Sequence, residues 1–206
     1  MGIIAQYLRV SEVDLELYRN NSLHLEERLQ GLSLDPNFLD LDKAWDGIIF
    51  LLTGISLGLG ERELLHAVVS NKYVDEHQDF GCGPAHYLSV KEVKSIYKSL
   101  ACIDEVDLER QFDVSRMRAS GVYPTGYRTM EYLNYLKEHF FDLVDFFRKA
   151  SEKEQAIIGV MSTSLTSKGI PKSAAVVSES LLWKSVYVLA SYGVIKSFYY
   201  LFLLFS

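Results

Sequence analysis

Apolar residues form two long runs near the ends of the first 162 residues and one shorter run between them. The runs 2–10 and 155–161 are rich in β-branched and aromatic side chains, which predicts strands. Residues 85–88 form a third, shorter strand candidate. We expect the strand at 155–161 to pair with the N-terminal strand, so that the three segments make a small sheet.

Helical spacing of apolar positions dominates the rest of these residues. Ser89 and Glu92 form a capping box that opens one helix, and the longest helix is predicted over 128–151. The segment 61–71 fits a helix, although part of it would also suit a strand. The remaining predicted helices cover 11–20, 23–32, 40–53, 104–112 and 113–120.

The first of these helices begins at Ser11, which suits an N-cap position. Val10, Val13 and Leu17 recur at helical spacing, so we expect them to form its buried face.

The segment 39–54 changes abruptly in character, because it is charged at its start and wholly apolar after Gly47. We predict a helix over 40–53, with Asp40 as its N-cap and Gly54 as its stop. Its far end should be buried, and its first turn should reach a surface or a cleft.

These elements predict an α+β fold in which mostly short helices pack around a small sheet. Residues 1–162 are expected to form this domain, and 163–206 a polar linker with an apolar, helix-like tail. The run 185–206 is long enough to span a bilayer, but Lys196 lies at its middle. The tail is therefore interpreted in three ways: a packed or partner-binding helix, a membrane-associated segment, or a frame-shifted end.

Composition narrows the class of protein. A hydrophobic share of 49% and an aromatic share of 13% exclude a disordered chain. The formal net charge of −6 and the lack of basic clusters argue against nucleic-acid binding. The two cysteines are too few for a disulfide scaffold, and the N-terminus lacks the basic region of a signal peptide. The expected location is the cytoplasm.

Several motifs also carry a family resemblance. They are MGIIAQY at 1–7, LDLDKAWD at 39–46, FLLTG at 50–54, LHAVVS at 65–70, IDEVDLERQF at 103–112 and MRASGVYP at 117–124. In this order they cover most of residues 1–162, and the chain resembles the YfbM-like family of bacterial domains of unknown function.

The resemblance implies a single compact domain of mixed helix and strand, with no activity, substrate or cofactor assigned to the family. The sequence departs from the family pattern at two places. Ile49 stands where the family commonly carries a histidine, which argues against a catalytic imidazole there. The segment from about 163 onward is not covered.

Charged and aromatic residues around the start of the 40–53 helix are the candidate ligand-binding groups, joined by two tyrosines beside proline-containing turns. They are Asp40, Asp42, Lys43, Trp45, Asp46, Tyr87 and Tyr123. A polar cluster beside an aromatic wall is a usual composition for a small-ligand pocket. The alternative is structural: the carboxylates cap and tether the helix while Trp45 packs into the core.

No catalytic residue, cofactor or metal is predicted. Asp79, Cys82 and His86 lie in one short span, but a zinc site needs three or four convergent ligands at a defined spacing. Cys82 lies between two glycines without a nearby cation to activate it, and Cys102 at a helix end is expected to be buried.

Three functions follow from these observations. The favoured hypothesis is a cytosolic, non-enzymatic module that binds a protein partner or self-associates through its apolar tail. The second is an enzyme or small-ligand binder with its pocket at the start of the 40–53 helix, which leaves open whether the protein is an enzyme. The third is a soluble head anchored to a membrane through 185–206.

Overall fold

A computed structural model describes residues 2–30, 35–57, 63–126 and 129–163. Predictions about the polar linker and the apolar tail lie outside the described residues. Within the described part of the chain, no helix is long and apolar enough to cross a membrane.

The described residues form four strands, seven α-helices and one 3₁₀ helix, which confirms the α+β class. In chain order they are β1 (Ile3–Val10), α1 (Glu12–Asn20), α2 (Leu23–Leu29), β2 (Phe38–Asp40), α3 (Trp45–Thr53), the 3₁₀ helix (Glu63–Ala67), β3 (His86–Leu88), α4 (Val90–Leu100), α5 (Glu105–Gln111), α6 (Val114–Ala119), α7 (Met130–Glu152) and β4 (Ala156–Thr163).

The strands form one antiparallel sheet in the order β2-β1-β4-β3. As predicted, the last strand pairs with the first: β4 runs beside β1 along its whole length, from Ile3 opposite Thr163 to Val10 opposite Ala156. Gly159 of β4 lies opposite Tyr7 on one side and His86 on the other.

Both faces of the sheet are buried, which explains why β1 and β4 read as nearly continuous apolar runs. Alternate residues along a strand point to opposite faces. One set enters a main core shared with helices α3 to α7: Ala5, Tyr7, Leu88, Ile157 and Met161. The other set enters a second core shared with α1 and α2: Leu8, Val10, Ala156, Ile158 and Val160.

The central helix begins later than predicted. Asp40 ends strand β2, a strand that the sequence analysis missed, and α3 starts at Trp45 after Ala44 at its N-cap. Asp42 has a φ of 45°, which excludes it from a right-handed helix. The predicted stop is confirmed, because Gly54 adopts a left-handed conformation with a φ of 74°.

The predicted buried face of α1 is wrong for Val13 and Leu17, whereas Val10, which ends β1, is buried as expected. Leu15 and Tyr18 point into the second core, whereas Val13 is 79% exposed and Leu17 is 47% exposed. Helical spacing shows which residues share a face, and packing decides which face turns inward.

Two further boundaries differ from the predictions. Over 63–71, the described part of the predicted helix 61–71, the chain forms the short 3₁₀ helix Glu63–Ala67. The second predicted helix, 23–32, ends at Leu29. The capping box at Ser89 and Glu92 is confirmed, with both reciprocal hydrogen bonds present.

Candidate functional site

The turn between β2 and α3 is fixed by side chains that bond to neighbouring backbone. Asp40 accepts hydrogen bonds from the side-chain amide of Gln6 at 2.9 Å and from the backbone N–H of Asp42 at 2.8 Å. The Tyr135 hydroxyl of α7 donates to Asp42 Oδ2 at 3.0 Å and accepts from the Lys43 N–H at 3.2 Å. Burial and the adjacent Asp42 carboxylate raise the pKa of Tyr135.

Trp45 and Tyr123 hold the first strand at its N-terminal end. Their rings stack with centroids 5.5 Å apart and an interplanar angle of 24°. The Trp45 indole N–H donates to the carbonyl of Ile3 at 3.1 Å, and the Tyr123 hydroxyl accepts from the N–H of Ile3 at 2.9 Å. Both polar groups of the Ile3 backbone are therefore bound by aromatic side chains.

Lys43 lies across Gly2 beside this aromatic pair. A Cβ atom at Gly2 would stand 2.5 Å from Lys43 Cε and 2.8 Å from the Tyr123 hydroxyl oxygen, so position 2 admits only glycine without rearrangement. The Lys43 ammonium makes no ion pair with any described residue, although Asp40 and Asp46 lie three residues away on either side.

Asp46 is the buried carboxylate of the group, with only 2% of its surface exposed. It accepts from the Ser56 hydroxyl at 2.9 Å, from the Leu57 N–H at 2.9 Å and from the Tyr123 N–H at 2.8 Å. It also lies in the first turn of α3, where the helix dipole favours negative charge. One side chain thus joins three separate segments of the chain.

Six of the seven predicted residues therefore gather around the start of α3. Tyr87 does not belong to this group, because it lies on β3 and packs against the second core, on the opposite face of the sheet. There it contacts Arg19 and Lys72, whose charged groups lie 5.3 and 5.5 Å from its ring centre.

Sequence reasoning missed Tyr135, Gln6 and Ser56, which bond to the predicted residues. Tyr135 lies 93 positions after Asp42 in the chain, so no local pattern links them. A buried Tyr hydroxyl needs a hydrogen-bond partner, but that requirement does not identify the partner from sequence.

Hydrogen bonds between members of the group occupy most of its polar atoms. This arrangement ties together the first strand, the β2–α3 turn, the loop after α3 and α7. Among the described residues of this group, the Lys43 ammonium is left without an ion pair. Ligand binding by these residues stays a prediction. Ile49, at the position of the family histidine, is fully buried in the main core.

The second candidate span, Asp79 to His86, is organised by the backbone. Asp79 accepts from the N–H groups of Gly81 and Gly83, both at 2.9 Å. Among the residues that the structure describes, no group of three or more His, Cys, Asp or Glu side chains is placed to hold a metal ion.

The environment of Cys82 agrees with the sequence interpretation, whereas that of Cys102 corrects it. Cys82 is buried, and burial together with Asp79 raises the pKa of its thiol to about 11, so it is not a reactive thiolate. Cys102, expected to be buried, is exposed at the end of α4.

His86 is a buried neutral histidine packed on the sheet. Its Nδ1 accepts from the N–H of Ser70 at 3.3 Å, and its ring lies against Gly159. Burial and the nearby His66 lower its pKa to about 4.

Comparison with known proteins gives a family but no activity. The model of a family described as a domain of unknown function, DUF1877, matches residues 1–160. Among solved structures, a protein of unknown function, YfbM from Escherichia coli, is similar with a TM-score of 0.61 and 19% identity, over 77% of this chain and 99% of that chain. This likeness shows the fold alone. No curated protein matches the chain.

Proposed function

The chain belongs to the DUF1877 family, a domain of unknown function, and on that premise we propose that it is a cytosolic, non-enzymatic protein-interaction module. The observation that carries this proposal is the apolar stripe that α1 turns toward solvent. We call this surface, formed by Val13, Leu17 and Leu23, the α1–α2 patch.

Two of these residues are neighbours on the helix surface. Val13 and Leu17 are one turn apart, and side chains four residues apart on a helix lie side by side. Leu15 and Tyr18 anchor the other face of α1 in the second core, which holds the stripe outward. Leu23, the first residue of α2, is 60% exposed.

Burial of this patch would contribute part of the free energy of binding. Fully burying one Val or Leu side chain contributes about 1.5–3 kcal/mol. A partner that covers the three side chains would therefore gain several kcal/mol, which is the range of an interface hot spot.

The acidic residues in the same segment as the patch indicate a basic partner surface. Between residues 11 and 30 there are five carboxylates (Glu12, Asp14, Glu16, Glu26 and Glu27) and two arginines. Arg19 is already paired with Glu16 at 2.7 Å, and Arg28 with Asp35. The complementary surface is a protein face that presents apolar side chains among lysines and arginines.

The state of the cysteines supports a cytosolic location. Cys82 and Cys102 are both free thiols, and unpaired cysteines are usual where the environment is reducing.

A direct binding experiment tests the patch. A photo-crosslinking amino acid at position 17 of the full chain would capture partners in cells, and the captured protein would then be purified and titrated against the unmodified chain. We expect Val13→Ser/Leu17→Ser to weaken binding at least tenfold, and added salt to weaken it further because the partner is basic.

Two other exposed apolar residues provide a matched control. Val106 on α5 is 56% exposed and Met130 on α7 is 64% exposed. The double variant Val106→Ser/Met130→Ser should bind as the unmodified chain does. Equal binding by the patch variant, or a crosslink at position 17 that yields no partner with a basic face, would refute the proposal.

A small-ligand site at the start of α3 is the second candidate, because the Lys43 ammonium lies beside the Trp45–Tyr123 stack and makes no ion pair with a described residue. A cation next to an aromatic wall suits a small aromatic carboxylate. Benzoate, but not benzamide, should raise the melting temperature of the protein, and Lys43→Met should abolish the rise while Lys98→Met, at an exposed position on α4, keeps it. An identical response of the two variants would exclude Lys43 as the binding group.

A further inference from the structure

An open cleft of about 420 Å³ lies beside the 3₁₀ helix, between β3 and the first two turns of α4. This volume is within the range of about 300–1,000 Å³ that small-ligand sites occupy. Lys72 and Glu92 carry its charges, Leu88 and Ile96 form its apolar wall, and Ser95 lies at its edge.

Lys72 and Glu92 place opposite charges side by side in this cleft. Lys72 Nζ lies 2.6 Å from Glu92 Oε2. The same oxygen accepts from the N–H of Ser89 at 2.9 Å and from the Ser89 hydroxyl. The second oxygen, Oε1, accepts no hydrogen bond from a described residue.

The Glu92 carboxylate is held by its surroundings, and Lys72 is held at its backbone. Glu92 closes the capping box of α4, and although burial opposes its ionisation, hydrogen bonds from Lys72 and Ser89 lower its pKa. Lys72 is held through its backbone, because its N–H donates to Ser70 Oγ at 3.2 Å and its carbonyl accepts from the Tyr87 N–H at 2.9 Å. A site whose groups are held in advance loses less entropy on binding.

The apolar wall completes the arrangement. Leu88 is 4% exposed and Ile96 is 3% exposed, so they are rigid parts of the main core that reach the floor of the cleft. A ligand that pairs with both charges would therefore have its remaining atoms touch the exposed edges of Leu88 and Ile96.

We propose that this cleft binds a small zwitterion of the amino-acid class with an apolar side chain. The ligand carboxylate would bind the Lys72 ammonium, the ligand ammonium would bind Glu92 Oε1, and the side chain would pack on Leu88 and Ile96. A ligand with only one charge meets a like charge as well as an opposite one, so the cleft selects for both charges together.

Three isosteric probes separate this proposal from general adhesion to the cleft. L-Leucine carries both charges, isocaproate lacks the ammonium, and isoamylamine lacks the carboxylate. In ¹⁵N–¹H spectra of the full chain, we expect saturable shifts at Lys72, Glu92 and Ser95 with L-leucine, and an affinity at least tenfold weaker for the other two probes. No saturable shift with any apolar amino acid, or equal affinity for the three probes, would overturn the proposal.

Charge-removing variants locate the binding groups. Lys72→Met and Glu92→Gln should each weaken L-leucine binding at least tenfold, and Gln keeps the capping role of Glu92. The matched control is Lys94→Met, which breaks another ion pair of α4, with Glu154 at 2.6 Å, outside the cleft. Binding that survives both cleft variants, with their spectra showing an intact fold, would refute the assignment. These measurements do not involve the α1–α2 patch, so their failure leaves the proposed protein interaction unaffected.

Discussion

Replacing Asp46 by alanine should destabilise the domain by about 3–5 kcal/mol. The change removes the acceptor of three donors: the Ser56 hydroxyl and the backbone N–H groups of Leu57 and Tyr123. Because Asp46 is 2% exposed, water cannot take the place of its carboxylate without entering the interior.

The magnitude follows from the donors that are left without a partner. Each buried donor without an acceptor costs about 1–3 kcal/mol. Leu57 and Tyr123 are only half-buried, so partial hydration places their contributions near the lower limit. Loss of the favourable helix-dipole interaction adds about 0.3–1 kcal/mol. Asp46→Asn keeps one acceptor oxygen and should cost about half as much.

Urea denaturation followed by far-ultraviolet circular dichroism measures these differences, with an unchanged slope showing that the unfolded state is the same. Asp40→Ala is the matched control, because Asp40 belongs to the same turn but is exposed, and should cost less than about 1 kcal/mol. If Asp46→Ala destabilised the protein no more than Asp40→Ala, the carboxylate would not be joining the three segments as described.

Three other changes test neighbouring contacts. Gly159→Ala would place a Cβ 2.2 Å from His86 Cε1 and should lower the free energy of unfolding by about 1–3 kcal/mol in urea denaturation. The same substitution should cost less in the His86→Ala background, and equal losses in the two backgrounds would contradict the contact. The free energy of unfolding should fall by on the order of 3 kcal/mol as the pH is lowered from 6.5 toward 4, because the unfolded chain binds a proton that buried His86, with a pKa of about 4, does not. In His86→Leu the free energy of unfolding should depend less on pH over this window, and an unchanged pH dependence would refute the assignment. Tyr135→Phe should lose about 1–2 kcal/mol, because the Lys43 N–H loses its acceptor and Asp42 its donor, and a loss indistinguishable from zero would show that water replaces the hydroxyl.

The sheet and the long helices could be predicted from the sequence because their signals are local. Strands buried on both faces produce unbroken apolar runs, and β1 and β4 are the two longest runs of that kind in the described domain. The capping box at Ser89 fixes the start of α4 through side chains three residues apart. Strand β2 has three residues that pair with β1, and Phe38 and Leu39 pack against the two cores, so its short sequence carries no comparable signal.

The exposed face of α1 shows where periodicity stops being informative. Val13 and Leu17 share one face and Leu15 and Tyr18 another, so both faces present large side chains. The second core chooses between them, and it is built from strands and loops far along the chain, such as Phe80 and Ile158. The proposed interaction follows from this difference: the apolar stripe has the spacing of a buried helix face but is exposed to solvent.

The sequence indicates a ligand pocket at the start of α3, whereas in the structure most of these residues join segments of the chain. In the sequence, Asp40, Asp42 and Asp46 look equivalent, as three acids ahead of an apolar helix. In the structure they differ, because Asp42 has a φ of 45° and cannot belong to the helix. Asp46 is therefore the acidic residue in the first turn of α3. Only the carboxylate inside that turn can reach both the loop after α3 and the backbone of Tyr123, so burial and structural importance fall on Asp46. The same turn places Lys43 beside Gly2, and its ammonium makes no ion pair with a described residue. A test of the α3 site therefore has to probe this cation separately from the buried Asp46 carboxylate.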